Sequence, residues 1–115
     1  MGGSPLKNKS YLFAIRVVKL SQYLRDEKRE FVLSKQVLRS GTAVGALIRE
    51  AEFGQSKPDF TSKMSIALKE ANETEYWLSL LKDTDIINEK EFDSLHSDCK
   101  ELIAMLVSTV KTSKK

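Results

Sequence analysis

The stretch that decides the fold is Arg39–Glu52, RSGTAVGALIREAE, which has the apolar spacing of a helix interior but is unusually rich in small residues. Two of them are Gly41 and Gly45, and each interior glycine destabilises a helix by about 1 kcal/mol relative to alanine. Because positions four apart lie on one face of a helix, these glycines leave that face without side chains, so another backbone can approach closely. We therefore predict that the other helices assemble on this segment.

The length and composition predict one folded domain over residues 5–112, with a polar tail at 113–115. Met1–Ser4 (MGGS) reads as a cloning remnant. The chain is 41% apolar and 30% charged, which is typical of a globular protein, and no apolar run approaches the ~20 residues of a membrane span. Cys99 is the only cysteine, so an internal disulfide is excluded and a cytoplasmic location is predicted.

Apolar residues recur at helical spacing in four segments joined by short connections, which predicts an all-α, antiparallel up-down-up-down four-helix bundle. The first helix is expected from Pro5 or Asn8 to Arg25, the second from Glu30 to Phe53, the third from the Ser56–Pro58 segment to Leu81, and the fourth after Asn88. The core seam of the second helix is predicted to be Leu33, Val37, Ser40, Val44, Leu47 and Ala51, and that of the third Phe60, Met64, Ala67, Ala71, Thr74, Leu78 and Leu81.

The ends of the helices carry recognisable stop and start signals. Gly54 is placed to end the second helix in a left-handed conformation. Ser56 with Asp59, and Asn88 with Glu91, have the spacing of capping boxes.

Apolar residues also lie outside these seams, on the opposite side of the first helix and beside the seam of the third. A helix with apolar residues on two faces is buried on both, either by its own bundle or by another copy of the chain. We favour a homo-oligomer. The predicted interface residues are Tyr11, Ile15, Val18, Ile66, Trp77 and Leu80.

Antiparallel pairing of the second and third helices sets a register for charged residues. Arg39 comes level with Glu70 and close to Glu73, which predicts an ion pair across this interface. Glu50 is expected near Lys63 in the same way. Buried pairs of this kind contribute more to register than to net stability.

Charge is unevenly distributed along the chain. Residues 1–49 carry ten Lys/Arg and three acids, whereas residues 50–115 carry nine Lys/Arg and thirteen acids. The basic half either attracts an anionic partner such as RNA or DNA, or it attracts the acidic half, within one chain or between copies. The candidate nucleic-acid-binding residues are Lys9, Arg16, Lys19, Tyr23, Arg25, Lys28, Arg29 and Lys35. No base-reading motif is present, so such binding is expected to be salt-sensitive and poorly sequence-selective.

Residues that would support catalysis or metal binding are sparse. The single histidine, His96, has Asp93 three positions earlier, which is less than half of the ligand set of a di-iron bundle. Cys99 lies on the core stripe of the fourth helix, where a structural role is expected. The sequence therefore predicts no catalytic residues, no metal and no cofactor, and a nuclease using His96 is the remaining enzymatic alternative.

Four segments resemble a known family over nearly the whole chain: Ser10–Ala14 (SYLFA), Gln36–Glu50 (QVLRSGTAVGALIRE), Ser56–Met64 (SKPDFTSKM) and Ile66–Leu81 (IALKEANETEYWLSLL). They are similar to the four-helix bundle proteins of the 23S rRNA intervening-sequence family. Where many relatives have Ser and Asn in the central motif, this chain has Ala43 and Leu47.

The resemblance implies a closed bundle that assembles into a homo-oligomer, expected to be a pentamer. The accessory variability protein of diversity-generating retroelements resembles this family and forms a basic pentameric barrel that engages nucleic acid and a reverse transcriptase. The expected function is therefore a non-enzymatic, nucleic-acid-binding oligomer. The alternative is an oligomeric scaffold for a protein partner, with no nucleic-acid role and no membrane contact.

Overall fold

The computed structural model describes residues 4–115. It contains α1 (Pro5–Asp26), α2 (Leu33–Glu52), α3 (Lys57–Asp83) and α4 (Glu89–Ser113). Each helix packs against the next in the chain and α4 returns to α1, with α1 and α4 touching least. The antiparallel up-down-up-down bundle is thus confirmed.

The helix starts follow from capping side chains. Ser4 Oγ accepts the backbone N–H of Lys7 at 3.0 Å and so caps α1, whereas the rest of the predicted cloning remnant, Met1–Gly3, lies outside the described residues. Ser56 Oγ accepts the N–H of Asp59 at the start of α3. At the start of α4 the Asn88 and Glu91 side chains each accept the other's backbone N–H, so this capping box is complete.

The predicted start of the second helix at Glu30 is wrong, because α2 begins at Leu33. Arg29 adopts a positive φ of 54°, which breaks the chain out of helical geometry just before Glu30. The Glu30 carboxylate instead accepts the backbone N–H groups of Val32 and Ser34, at 3.3 and 2.8 Å. The Glu30 side chain therefore caps the N-terminus of α2, although Glu30 itself precedes the helix.

The predicted left-handed conformation of Gly54 is also wrong, since no glycine of the described chain has a positive φ. Its N–H donates to Ala51 O, and a Cβ on Gly54 would lie 2.8 Å from Asp59 Oδ2. Glycine is favoured here because a Cβ would also lie only 3.0 Å from Ala51 O, where the end of α2 meets the start of α3.

The small face of α2 packs against α1, as the opening stretch predicted. A Cβ on Gly41 would lie 2.7 and 2.8 Å from the two methyl carbons of Val17, and a Cβ on Gly45 would lie 3.4 Å from Ser10 O. Gly41 therefore receives the Val17 side chain directly, and Gly45 faces the backbone of α1 near Ser10. The contact places the outer faces of α1 and α2 side by side on the bundle.

The core seams follow the predicted spacing with one shift. In α2 the predicted seam residue Leu47 is only half-buried, and its neighbour Ile48 is fully buried instead; Leu33, at the start of the helix, is also half-buried. In α3 every predicted seam residue is buried except Phe60, which is half-buried. Thr74 donates a hydrogen bond to Ser40 Oγ at 2.9 Å, which satisfies two buried hydroxyls between α2 and α3.

Candidate interaction surfaces

The first surface is the outer face of α1, where the bundle leaves large apolar side chains in solvent. Tyr11 is 57% exposed, and Ile15 and Val18 are each 38% exposed. The bundle itself thus does not cover the second apolar face predicted for this helix. Leu12, which sequence reasoning did not single out, is 62% exposed on the neighbouring flank. Its position on the helical wheel, away from the core stripe, was the available signal.

A groove of about 1110 Å³ runs beside this face, between α1, α2 and the start of α3. Small residues of α1 and α2, including Ala14 and Ala46, form part of its wall. At the edge of the groove, the guanidinium of Arg49 lies 6.0 Å from the centre of the Tyr11 ring. Gly45 of α2 also lines the groove and adds no side chain to fill it.

The predicted Glu50–Lys63 pair does not form. Lys63 Nζ instead lies 3.2 Å from Asp59 Oδ1, one turn away on its own helix. The nearer carboxylate takes this lysine because the i,i+4 spacing in α3 brings the two together without help from α2. Glu50 is exposed, and it lines the groove together with Lys63.

The second surface lies along the junction of α2 and α3. Ile66 is 41% exposed, whereas Trp77 and Leu80 are half-buried. Their positions on α3 place them beside α2, on a different side of the bundle from the apolar face of α1.

A charged network holds this junction in register. Arg39 pairs with Glu70 at 3.2 Å and also with Glu73, so the structure forms the ion pair that the register predicted. The Trp77 indole donates to Glu73 Oε2 at 2.9 Å. The indole and the guanidinium together hold the pKa of Glu73 below its ordinary value. Arg39 remains half-exposed, so the pair lies at the surface and not in the core.

Two of the predicted nucleic-acid-binding residues are held by acids of α4. Lys9 Nζ lies 2.9 Å from Glu101 Oε1 and 3.7 Å from Asp98 Oδ1. Hydrogen bonding to Glu101 raises the pKa of Lys9 above its ordinary value. Arg16 donates to Asp98 at 2.7 Å and to Ser94 Oγ at 2.8 Å. For these two residues the structure matches the alternative in which the basic and acidic halves attract each other within one chain.

The other basic candidates lie toward one end of the bundle, which we call the α1–α2 end. It comprises Lys19, Arg25, Lys28, Arg29 and Lys35, all of which are exposed. The predicted stacking residue Tyr23 is half-buried against the core, with Lys28 Nζ 5.9 Å from its ring centre. The aromatic side chain that is exposed at this connection is instead Phe31, which is 52% exposed and has the Arg29 guanidinium 5.3 Å from its ring centre. Sequence reasoning missed Phe31 because a helix starting at Glu30 would have included it.

The side chains that could support catalysis or bind a metal are engaged in structural contacts. His96 Nε2 lies 2.8 Å from Glu75 Oε2, and its ring stacks on Phe92. Cys99 is fully buried and its thiol donates to Ala71 O, and burial raises the pKa of this thiol to about 12. Within residues 4–115, no three His, Cys, Asp or Glu side chains are grouped to hold a metal ion. None of the described helices is long and apolar enough to cross a membrane.

Comparison with known proteins assigns the chain to a family. Residues 5–108 match the family described as 23S rRNA-intervening sequence protein. A crystal structure of a protein of unknown function from the S23 ribosomal protein family of Bacteroides thetaiotaomicron is 53% identical, with a TM-score of 0.91, covering 92% of this chain and 98% of that one. No curated protein matches the chain, and neither description above indicates an enzyme. The protein therefore belongs to the 23S rRNA-intervening sequence protein family.

Proposed function

We propose that this protein is a non-enzymatic homo-oligomer that binds nucleic acid, RNA or DNA, through its α1–α2 end. The observation that carries the proposal is the row of exposed apolar side chains on α1, where Tyr11, Ile15 and Val18 lie within two helical turns. Contiguous apolar surface of this kind marks an interaction site more often than it marks a free monomer surface. A second copy of the chain is the simplest cover for it.

The arrangement of the two apolar surfaces favours a ring over a two-fold dimer. The face of α1 and the α2–α3 junction lie on different sides of the bundle, and they differ in character. The first surface consists of the apolar side chains of Tyr11, Ile15 and Val18. The second combines the apolar Ile66 with Trp77, whose indole is hydrogen-bonded to a carboxylate. Contact between two unlike surfaces is head-to-tail, and it closes into a ring when the rotation permits. Five copies is the number that the family resemblance implies.

Light scattering after size exclusion tests the assembly. Five copies of the 13.0 kDa chain give about 65 kDa. The double variant Ile15→Asp with Val18→Asp is expected to shift the mass toward that of one chain, because burying two unpaired carboxylates opposes association. Ser108→Asp, on an exposed position of α4, is the control and is expected to leave the mass unchanged. A wild-type protein that is monomeric at micromolar concentration contradicts the proposal.

The nucleic-acid part of the proposal is supported by the charge at the α1–α2 end. Within residues 19–35, five exposed Lys/Arg side chains accompany three acids, Asp26, Glu27 and Glu30, and the last of these is occupied in capping α2. The exposed ring of Phe31 beside Arg29 adds a surface on which a base can stack. Lys9 and Arg16 contribute less than the sequence suggested, because α4 carboxylates already neutralise them.

Binding of a generic single-stranded RNA at two salt concentrations separates this function from a protein scaffold. Phosphate contacts make affinity fall steeply with salt. The variant Lys28→Glu with Arg29→Glu is expected to weaken binding further. The groove beside Tyr11 favours the scaffold alternative, since it offers space for a protein segment. Absence of RNA binding at low salt leaves that alternative in place.

A further inference from the structure

The opposite end of the bundle carries a second concentration of positive charge. The start of α3 and the end of α4 lie side by side there: Thr61 and Ser113 share a hydrogen bond at 2.6 Å, and Lys57 Nζ donates to Lys115 O at 2.7 Å. We call this region the lysine end, and it comprises Lys57, Lys111, Lys114 and Lys115. All four side chains are exposed, and within residues 4–115 none pairs with an acidic side chain.

Acidic residues are absent from the last part of α4. Residues 102–115 contain three lysines and no acid, whereas residues 82–101 contain three lysines and seven acids. The nearest acid at the start of α3, Asp59, is already paired with Lys63. Counting charge over the second half of the chain hides this surface, because its lysines are averaged with acids at the far end of α4.

An exposed aromatic side chain lies at the same end of the bundle. Phe53 is 78% exposed, the highest value among the large apolar residues described, and it precedes Lys57 by four positions in the connection between α2 and α3. Lysines that follow a phosphate backbone, together with an aromatic ring that stacks on a base, are the combination used by proteins that bind single strands without sequence preference.

We propose that the lysine end, with Phe53, is a second binding surface for single-stranded nucleic acid, at the opposite end of the bundle from the α1–α2 end. The two ends lie far apart on a molecule 44 Å long, so one does not depend on the other. An anionic membrane is the other polyanion that lysines recruit, but membrane attachment also needs a broad apolar face. Phe53 instead shares the groove beside α1 with charged residues such as Glu50 and Asp59.

The test uses a fluorescent single-stranded RNA of about 20 nucleotides, long enough for several phosphate contacts, titrated over a range of salt. The variant Lys57→Gln, Lys111→Gln, Lys114→Gln is expected to weaken binding at least tenfold. It should also reduce the slope of log K against log salt by about 2, since each single-strand phosphate contact contributes about 0.7. Phe53→Ala is expected to weaken binding about tenfold with little change in slope.

The matched control replaces two other exposed lysines in the middle of α3 and α4, Lys69 and Lys100, with glutamine, and it is compared with Lys111→Gln, Lys114→Gln at the lysine end. The two double variants remove the same charge, but the control leaves the lysine end intact, so its slope should match the wild type. Equal slopes for the two double variants would overturn the inference.

Substitution at the α1–α2 end separates the inference from the proposed function. If Lys28→Gln, Arg29→Gln and Lys35→Gln alone abolish RNA binding, the inference is wrong and the proposed function stands. If only the lysine-end variant loses binding, the α1–α2 end is wrong as the site. Binding to phosphatidylserine vesicles in place of RNA would also overturn the inference.

Discussion

Adding one methyl group to α2 should have opposite effects at two positions four residues apart. At Gly41 the new Cβ would lie 2.7 and 2.8 Å from the methyl carbons of Val17, a fully buried residue. Because a helical valine strongly prefers one rotamer, Val17 cannot turn away, and α1 must shift instead. At Gly45 the nearest atom is Ser10 O at 3.4 Å, which is an ordinary contact.

The expected magnitudes follow from two opposing terms. Alanine is about 1 kcal/mol more favourable than glycine within a helix, and this gain applies at both positions. Overpacking a tight core costs about 1–3 kcal/mol, and this cost applies only at Gly41. Gly41→Ala should therefore destabilise the protein by about 1 kcal/mol, and Gly45→Ala should stabilise it by up to about 1 kcal/mol. The resulting difference in Tm is roughly 8 °C.

Urea unfolding followed by circular dichroism measures the difference, with all variants at one protein concentration because self-association raises apparent stability. The m-value should be unchanged, so that the midpoint reports stability alone. Val17→Ala removes the two methyl groups, and in that background Gly41→Ala should cost less. Equal stability of the two single alanine variants, or no effect of Val17→Ala on the cost at Gly41, would refute the role assigned to this contact.

Three further outcomes are expected. Arg16→Gln should destabilise the protein by only about 0.5 kcal/mol, and a double-mutant cycle with Asp98→Asn should locate that loss in the pair, since both side chains are partly exposed. Glu73→Gln should destabilise at neutral pH, but the difference from wild type in urea unfolding should vanish as pH falls through the depressed pKa of Glu73, below its ordinary 4.5. Cys99 should react with a thiol reagent at pH 8 only as fast as the bundle opens, which denaturant should accelerate.

Much of the fold could be predicted because helix formation and capping are local. The Asn88–Glu91 box and the seam of α3 are readable from spacing alone, and both are present. The start of α2 was not readable in this way. Glu30 has good helical propensity, but Arg29 before it takes a left-handed conformation, and the connection then uses the carboxylate as a cap. The left-handed conformation predicted for Gly54 was wrong because two different features favour glycine at a helix end, a positive φ and the close approach of neighbouring atoms, and only the second is present.

The candidate surfaces were less predictable, because a surface is defined by what packs beside it. Arg39 could be placed against Glu70 since both belong to adjacent helices with a short connection. Lys9 and Arg16 could not be placed against Asp98, because α1 and α4 are joined through two intervening helices and their register is not set by any one turn. The lysine end was missed for the same reason: its members come from positions more than 50 residues apart.

The bundle separates its surfaces by chemistry. Apolar side chains such as Ile15 and Ile66 are exposed along the sides of the helices, whereas the proposed nucleic-acid-binding residues, such as Lys28 and Lys114, lie at the ends. If the sides bind other copies, as proposed, a ring still leaves both ends of every bundle in solvent and repeats each end once per copy. Repeating a modest charge on every copy produces a multivalent surface. Such a surface binds a long polyanion far more tightly than a short one. RNA affinity should therefore rise steeply with RNA length in the wild type, and the Ile15→Asp, Val18→Asp variant should lose that dependence while retaining every lysine.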